Sequence, residues 1–341
     1  MPTNPIMITR ARTQAHTPAW QQAWSRALRD PHQLLLRLDL DPSLAAGAAS
    51  AHGLFRLRVP ESYLARIRPG DPDDPLLLQV LPQAAEALER PGFGPDPVDD
   101  AAAMAAPGLL HKYPGRALLI ATGACAIHCR YCFRREFPYG EFGGLRDWGP
   151  ALAYIREHRD ISEVILSGGD PLALPDHRLT ELLLLLERIP HLRRLRIHTR
   201  LPVVLPERID AGLLSWLGRG RLQHILVLHA NHPREFDPPA DTALARLRAS
   251  GVTLLNQSVL LAGVNDDLGT LCELQERGFA AGILPYYLHL LDRVRGAAHF
   301  EVPEARAREL HAGLGSRLPG YLVPRLVREV PGASGKVPLP P

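Results

Sequence analysis

The sequence predicts an α/β protein built on a parallel sheet with helices packed outside it. Three observations carry this. From about residue 117 onward, six apolar strand-like runs alternate with amphipathic helical stretches. The runs are apolar throughout, as in strands buried on both faces. Polar, chemically capable residues follow the runs, at the strand ends where parallel sheets bind ligands. Six units fall short of a closed eight-unit barrel, so the pattern fits an open, three-quarter barrel or a doubly wound sheet.

The elements follow in order. Helices are expected at residues 19–29, 61–66 and 76–88, separated by prolines and glycines, with a linker at 90–100. Strands are expected at 117–122, 163–167, 195–199, 225–229, 252–259 and 283–288. Helices alternate with them at 148–158, 177–188, 206–217, 241–250 and 268–277, and one more follows at 303–314. This divides the chain into an N-terminal helical region (1–105), an α/β core (106–315) and a C-terminal segment (316–341).

Composition narrows the function. With 341 residues, 46% hydrophobic and 22% charged, the chain reads as folded and able to bury a large core. Net charge is +3 from 39 basic and 36 acidic residues, with no long basic block, which argues against a nucleic-acid partner. Residues 1–14 lack the apolar core of a signal peptide. Apolar runs such as 182–186 are too short to span a bilayer, so a cytoplasmic protein without membrane contact is expected. Only Lys112 and Lys336 among the 39 basic residues are lysine. Unlike Arg, lysine can lose its proton and attack a carbonyl, which singles these two out.

The strand ends are rich in functional groups. The first is followed by Cys125-Ala-Ile-His-Cys129-Arg-Tyr-Cys132, the second by Ser167-Gly168-Gly169-Asp170-Pro171. Later ends carry His198-Thr199-Arg200, His229-Ala-Asn231-His232, Asn256-Gln257-Ser258, and Tyr286-Tyr287 leading to Asp292. A histidine alone at such a place is usually a satisfied structural residue, so His198, His229 and His232 count only together. The three clustered cysteines admit two readings. Structural zinc needs four ligands, and no partner pair is evident, although His128 lies inside the loop. An iron–sulfur cluster held by three cysteines would leave one iron open. Cys272, on an expected helix, reads as packing.

Cys125-x3-Cys129-x2-Cys132, with Tyr131 before the last cysteine, resembles the signature of the radical S-adenosylmethionine (SAM) enzymes, and Gly168-Gly169-Asp170 resembles their glycine motif. Within that superfamily, an ordered set of motifs resembles the lysine 2,3-aminomutase family: His111-Lys112-Tyr113-Pro114-Gly115-Arg116, Arg134-Arg135, His229-x-Asn231-His232-Pro233, Asn256 through Asp266, Pro285-Tyr286-Tyr287, and Pro331-Gly-Ala-Ser-Gly-Lys336-Val-Pro338. The likeness covers about two-thirds of the chain, from His111 to Pro338.

The resemblance implies a partial (β/α)6 TIM-like barrel. It implies a [4Fe–4S] cluster on Cys125, Cys129 and Cys132, with SAM on the open iron and near Gly168, Gly169, Asp170, His229 and Gln257. Lys336 is implied as the lysine joined to pyridoxal 5′-phosphate (PLP) as an aldimine, and Lys112 and Arg116 as its phosphate anchors. Arg134 would hold the substrate α-carboxylate by a charge-assisted fork. Asp292 and Glu329 would meet the ε-ammonium of lysine, which cannot be buried without anions. Glu329 stands where relatives commonly carry Asp. Asp267 stands near the position of a zinc-binding cysteine in the longer catabolic enzymes, so no zinc is expected. The wording is most similar to the aminomutases that make (R)-β-lysine for translation elongation factor P. The implied partners are free L-lysine, an electron donor such as flavodoxin or ferredoxin, and functionally elongation factor P with its lysyl ligase. A radical SAM aminomutase on another amino acid, a radical SAM enzyme without PLP, and a non-catalytic metal-stabilised binding module are the competing readings.

Overall fold

In the computed structural model, which describes residues 17–45, 51, 53, 55–140 and 147–339, ten strands form a single sheet in chain order. The segment 1–14 lies outside the described residues. All six anticipated strands are present and pair in parallel: β3 (Arg116–Thr122), β4 (Glu163–Gly168), β5 (Arg194–Thr199), β6 (Gln223–Leu228), β7 (Thr253–Val259) and β8 (Leu284–His289). Helices Gly149–Glu157, Asp176–Glu187, Ala211–Trp216, Pro238–Ala249 and Leu268–Ala280 connect them. The result is an α/β partial barrel whose terminal strands do not pair.

The sheet is larger than the six runs suggest. After the helix Glu304–Arg317 a seventh parallel strand, β9 (Arg325–Arg328), adds to β8. Four residues flanked by arginines are too short and too polar to register as an apolar run. β10 (Val337–Pro338) returns antiparallel on β9. At the other edge, β1 (Met104–Ala106) and β2 (Leu109–Tyr113) form an antiparallel lead-in to β3. The turn between β2 and β3 uses Gly115 at φ +78°, a left-handed conformation that favours glycine.

Three other expectations shift. Residues 76–88 are not one helix: Pro75–Leu78 is helical, Pro82 interrupts, and a 3₁₀ turn follows at Ala84–Ala87. Residues 206–217 divide likewise, because Asp210 caps a new helix by accepting from Leu213 N at 2.9 Å. Helix Pro31–Arg37, capped by Asp30 accepting from His32 N, went unanticipated. The N-terminal region does not form a core of its own: Trp20, Leu34, Tyr63 and Leu76 share one apolar cluster with Leu166, Ile197 and Leu226 of the sheet. Among the described residues, no helix is long and apolar enough to cross a membrane.

Candidate active site

The C-terminal ends of the parallel strands open on one cavity, and all fourteen residues singled out from the sequence line it, from Lys112 to Lys336.

The cysteine loop leaves β3 and is pinned from behind by the N-terminal region. Arg58 Nη1 donates to Cys125 O (2.9 Å), while Arg58 O accepts from His128 N (3.0 Å) and Gln79 O accepts from Arg130 N (2.8 Å). These bonds brace the loop from behind, while Ala126, Ile127 and Tyr131 line the cavity beside the cysteines. His128 bonds Arg56 O through Nδ1 (2.8 Å) and stacks on Phe55, and it does not line the cavity, so it is a clamp rather than a ligand. Burial pushes its pKa down to about 4. The guanidinium of Arg130 is fully buried and paired with Glu86, which also binds Arg135. Burial, then repulsion from neighbouring cysteines, pushes the thiols of Cys125 and Cys132 up, the latter to about 11. Cys272 lies away from the cavity, at the edge of a small apolar cluster.

Gly168 and Gly169 abut this loop. Gly168 has φ +119°, and a Cβ on Gly169 would sit 2.4 Å from Ala124 O. Their glycine identity is thus required by the backbone of the cysteine loop as well as by any ligand. Asp170 lines the cavity, but its carboxylate is engaged internally. It accepts from Thr199 Oγ1 (2.8 Å), Arg200 N (2.7 Å), Leu172 N (3.0 Å) and Leu201 N (3.2 Å). Burial raises it to about 6 against those donors.

Four adjacent strand ends present a polar wall. His229 Nε2 and His198 Nδ1 are 3.1 Å apart, which leaves Nδ1 as the other polar atom of His229. Burial pushes both imidazoles down, His229 to about 3, so both are neutral at physiological pH. Gln257 Oε1 is buried with no partner, as is His289 Nε2 on the next strand. Unpartnered buried polar atoms facing a cavity call for a polar ligand. The sequence reading did not single out His289, although its place at the end of β8 was a usable signal.

The opposite side is ionic. Asp100, 1% exposed, binds Lys112 Nζ (2.7 Å) and Arg134 Nε (2.7 Å), and Arg134 Nη1 donates to Ser167 Oγ (2.9 Å). Asp100 sits at the end of what reads as a linker, where nothing in the sequence marks this role. Lys336 Nζ pairs with Glu329 Oε2 (2.9 Å), and Glu329 also accepts from the Tyr113 hydroxyl. Burial pushes Glu329 up, but Lys336 and Tyr113 outweigh it and hold its pKa below the usual carboxylate range. Asp292 has no such bond, and burial raises it to about 6. Arg116 stacks on Tyr113 (4.8 Å) and, among the described residues, forms no ion pair.

A cysteine triad and a glycine turn at the head of a partial barrel define a radical SAM enzyme, and the profile described as "Radical SAM superfamily" matches residues 119–212. The chain is 50% identical over 323 residues to the L-lysine 2,3-aminomutase of Escherichia coli, covering 94% of both chains. It is 49% identical to that of Haemophilus influenzae (93% of this chain, 94% of the relative) and 41% identical to that of Buchnera aphidicola (97% and 98%). The protein belongs to the L-lysine 2,3-aminomutase family and is an isomerase of the radical SAM superfamily.

Membership implies a [4Fe–4S] cluster and SAM, and the donor set fits them. Three cysteines from one loop line the cavity. Cysteine thiolates are the ligands that hold iron–sulfur clusters. The unpartnered Gln257 Oε1 offers a polar contact for SAM.

Proposed function

We propose that this chain is a PLP-dependent lysine 2,3-aminomutase of the EpmB type, which converts free L-α-lysine to (R)-β-lysine for modification of elongation factor P in the cytoplasm. The observation that carries it is convergence: one cavity holds the cysteine triad, the one lysine in a glycine-flanked loop, and two carboxylates suited to an ammonium. The relatives named above are called L-lysine 2,3-aminomutases, which supports the substrate.

When bound, the cluster and SAM supply a 5′-deoxyadenosyl radical, and PLP supplies the conjugated system across which nitrogen moves from C2 to C3. The chain's own residues do the following. Cys125, Cys129 and Cys132 hold the cluster; Gly168, Gly169, His229 and Gln257 shape the SAM subsite, with Asp170 bracing the turn. Arg116, without a counter-ion, binds the PLP phosphate. Lys112 is already paired with Asp100, so its part in that anchor is smaller. Arg134, oriented by Asp100 and Ser167, meets the α-carboxylate through its remaining Nη2. Asp292 and Glu329 hold the ε-ammonium, and Lys336 carries PLP. The 1–105, 106–315 and 316–341 division assigns these tasks to a bracing region, a radical SAM core and a PLP segment, with a flavodoxin or ferredoxin as electron source.

The test is an anaerobic assay with SAM, PLP and a reductant, followed by chiral analysis of the product. Formation of (R)-β-lysine from L-lysine is expected. Turnover of glutamate but not lysine would overturn the substrate assignment.

A further inference from the structure

Arg200, at the end of β5, is 6% exposed and reaches the cysteine loop. Its Nη1 donates to Cys129 Sγ at 2.8 Å. Its Nη2 is held by Gln79 Oε1 (2.7 Å) and Glu235 Oε2 (2.8 Å). Glu235 is fully buried and also accepts from Asn231 N (2.9 Å), so the guanidinium is fixed in place. Arg200 lines the same cavity, and its Nε is buried with no partner. A buried N–H donor left unmet is costly, and at the rim of a cavity beside the cysteines an acceptor on a bound group can meet it.

We propose that Arg200 is a positioning residue for the iron–sulfur cluster: Nη1 donates to the Cys129 sulfur and Nε to a sulfide of the cluster, and together they raise its reduction potential. This rests on the cluster assignment above. Reduction by one electron from a flavodoxin- or ferredoxin-type donor adds negative charge to the sulfurs. Hydrogen bonds to those sulfurs stabilise the reduced state more than the oxidised one, which makes the electron easier to deliver. Of the other arginines near the loop, Arg58 donates through Nη1 to the Cys125 carbonyl, Arg134 is turned to Asp100 and Ser167, and Arg130 and Arg135 are on Glu86.

The test uses the full chain with its cluster reconstituted and a redox titration followed by electron paramagnetic resonance. Arg200→Lys keeps the charge and loses the fork; Arg200→Met loses both. The midpoint is expected to fall in each, further in the methionine variant. A purely structural arginine would lower cluster content and melting temperature and leave the midpoint of the loaded fraction unchanged, which would overturn the proposal. A second measurement needs no variant. Wild-type protein carrying guanidino-nitrogen-15 arginine should show a nitrogen-15 coupling to the reduced cluster, and its absence would also overturn the proposal. Wild-type chain that binds no cluster at all would remove the underlying assignment as well.

Discussion

Lys336 Nζ sits 2.9 Å from Glu329 Oε2, and strand register places it there. In the β9–β10 hairpin Val337 lies opposite Arg328 and Pro338 opposite Val327, so the next pair outward is 336 with 329. The protein's own ε-ammonium therefore rests on a carboxylate proposed to receive the substrate's. If Lys336 carries PLP as proposed, its nitrogen would no longer be a free ammonium, and Glu329 would become available to the substrate's ammonium. The two residues cannot be occupied with each other and with their ligands at once.

Lys336→Arg keeps a cation near Glu329 but cannot form an imine. The expected outcome is loss of the visible PLP absorbance and of β-lysine formation, with melting close to wild type. Lys336→Ala should lose both and also stability, by roughly 1–3 kcal/mol, because it leaves the Glu329 carboxylate without its cation, on the Tyr113 hydroxyl alone. Visible PLP absorbance in the arginine variant would exclude Lys336 as the attachment point.

Asp292 sets a pH limit. Burial raises its carboxyl to about 6, with Lys336 opposing and Glu329 adding to the rise. The ionised form is the one that binds an ammonium, and it predominates only above that pH. kcat/KM for lysine should rise with pH through about 6 and then level off, since this parameter reports the free enzyme. Asp292→Asn should flatten the rise and reduce kcat/KM roughly a hundredfold or more, as for a charge buried without its partner. His198 and His229 are neutral well below this range and should add no step of their own. A rise that persists in Asp292→Asn would assign it to another group.

Asp100 orients Arg134, the arginine proposed to bind the substrate carboxylate. Burial pushes its pKa up, but Arg134 and then Lys112 outweigh this, leaving it below the usual carboxylate range and ionised at neutral pH. Asp100→Asn removes the charge that fixes both cations. KM for lysine should rise roughly tenfold to a hundredfold, from hydrogen bonds to charged groups worth about 1.5–3 kcal/mol, with kcat changing less. Steady-state kinetics with lysine separates the two parameters, and an unchanged KM would remove Asp100 from substrate binding.

What the sequence made legible was chemistry carried by contiguous runs. The six long apolar strands, the cysteine loop and the glycine turn each lie within a few residues. What stayed hidden depends on tertiary closure. β9 is four residues with polar ends and becomes a strand only by docking on β8. Asp100 acquires its partners only when the β1–β2–β3 edge folds back and the cysteine loop brings up Arg134. Lys112 is already the weaker of the two proposed PLP-phosphate ligands on sequence grounds, since a phosphate accepts a guanidinium as well, and its ion pair with Asp100 agrees with that order. His128 looked like a spare ligand because spacing does not show which way a ring faces.

Gly169 tests whether the glycine turn braces the cysteine loop. Its N donates to Thr122 O (2.7 Å), and the next amide, Asp170 N, donates to Ala124 O (2.8 Å). An added Cβ would lie 2.4 Å from that same Ala124 oxygen and 2.7 Å from Gly123 C, both backbone atoms with no rotamer to yield. Gly169→Ala must therefore push the segment leading to Cys125 away from the turn. Overpacking of this kind costs about 1–3 kcal/mol. The expected result is a folded chain with a lowered melting temperature and less iron and sulfide per chain after reconstitution. Gly335→Ala is the control: its Cβ would be 3.7 Å from Arg116 Nη2, an ordinary contact remote from the cysteines, so iron content should not change. Full iron loading in Gly169→Ala, with wild-type melting, would show that the loop does not depend on the turn.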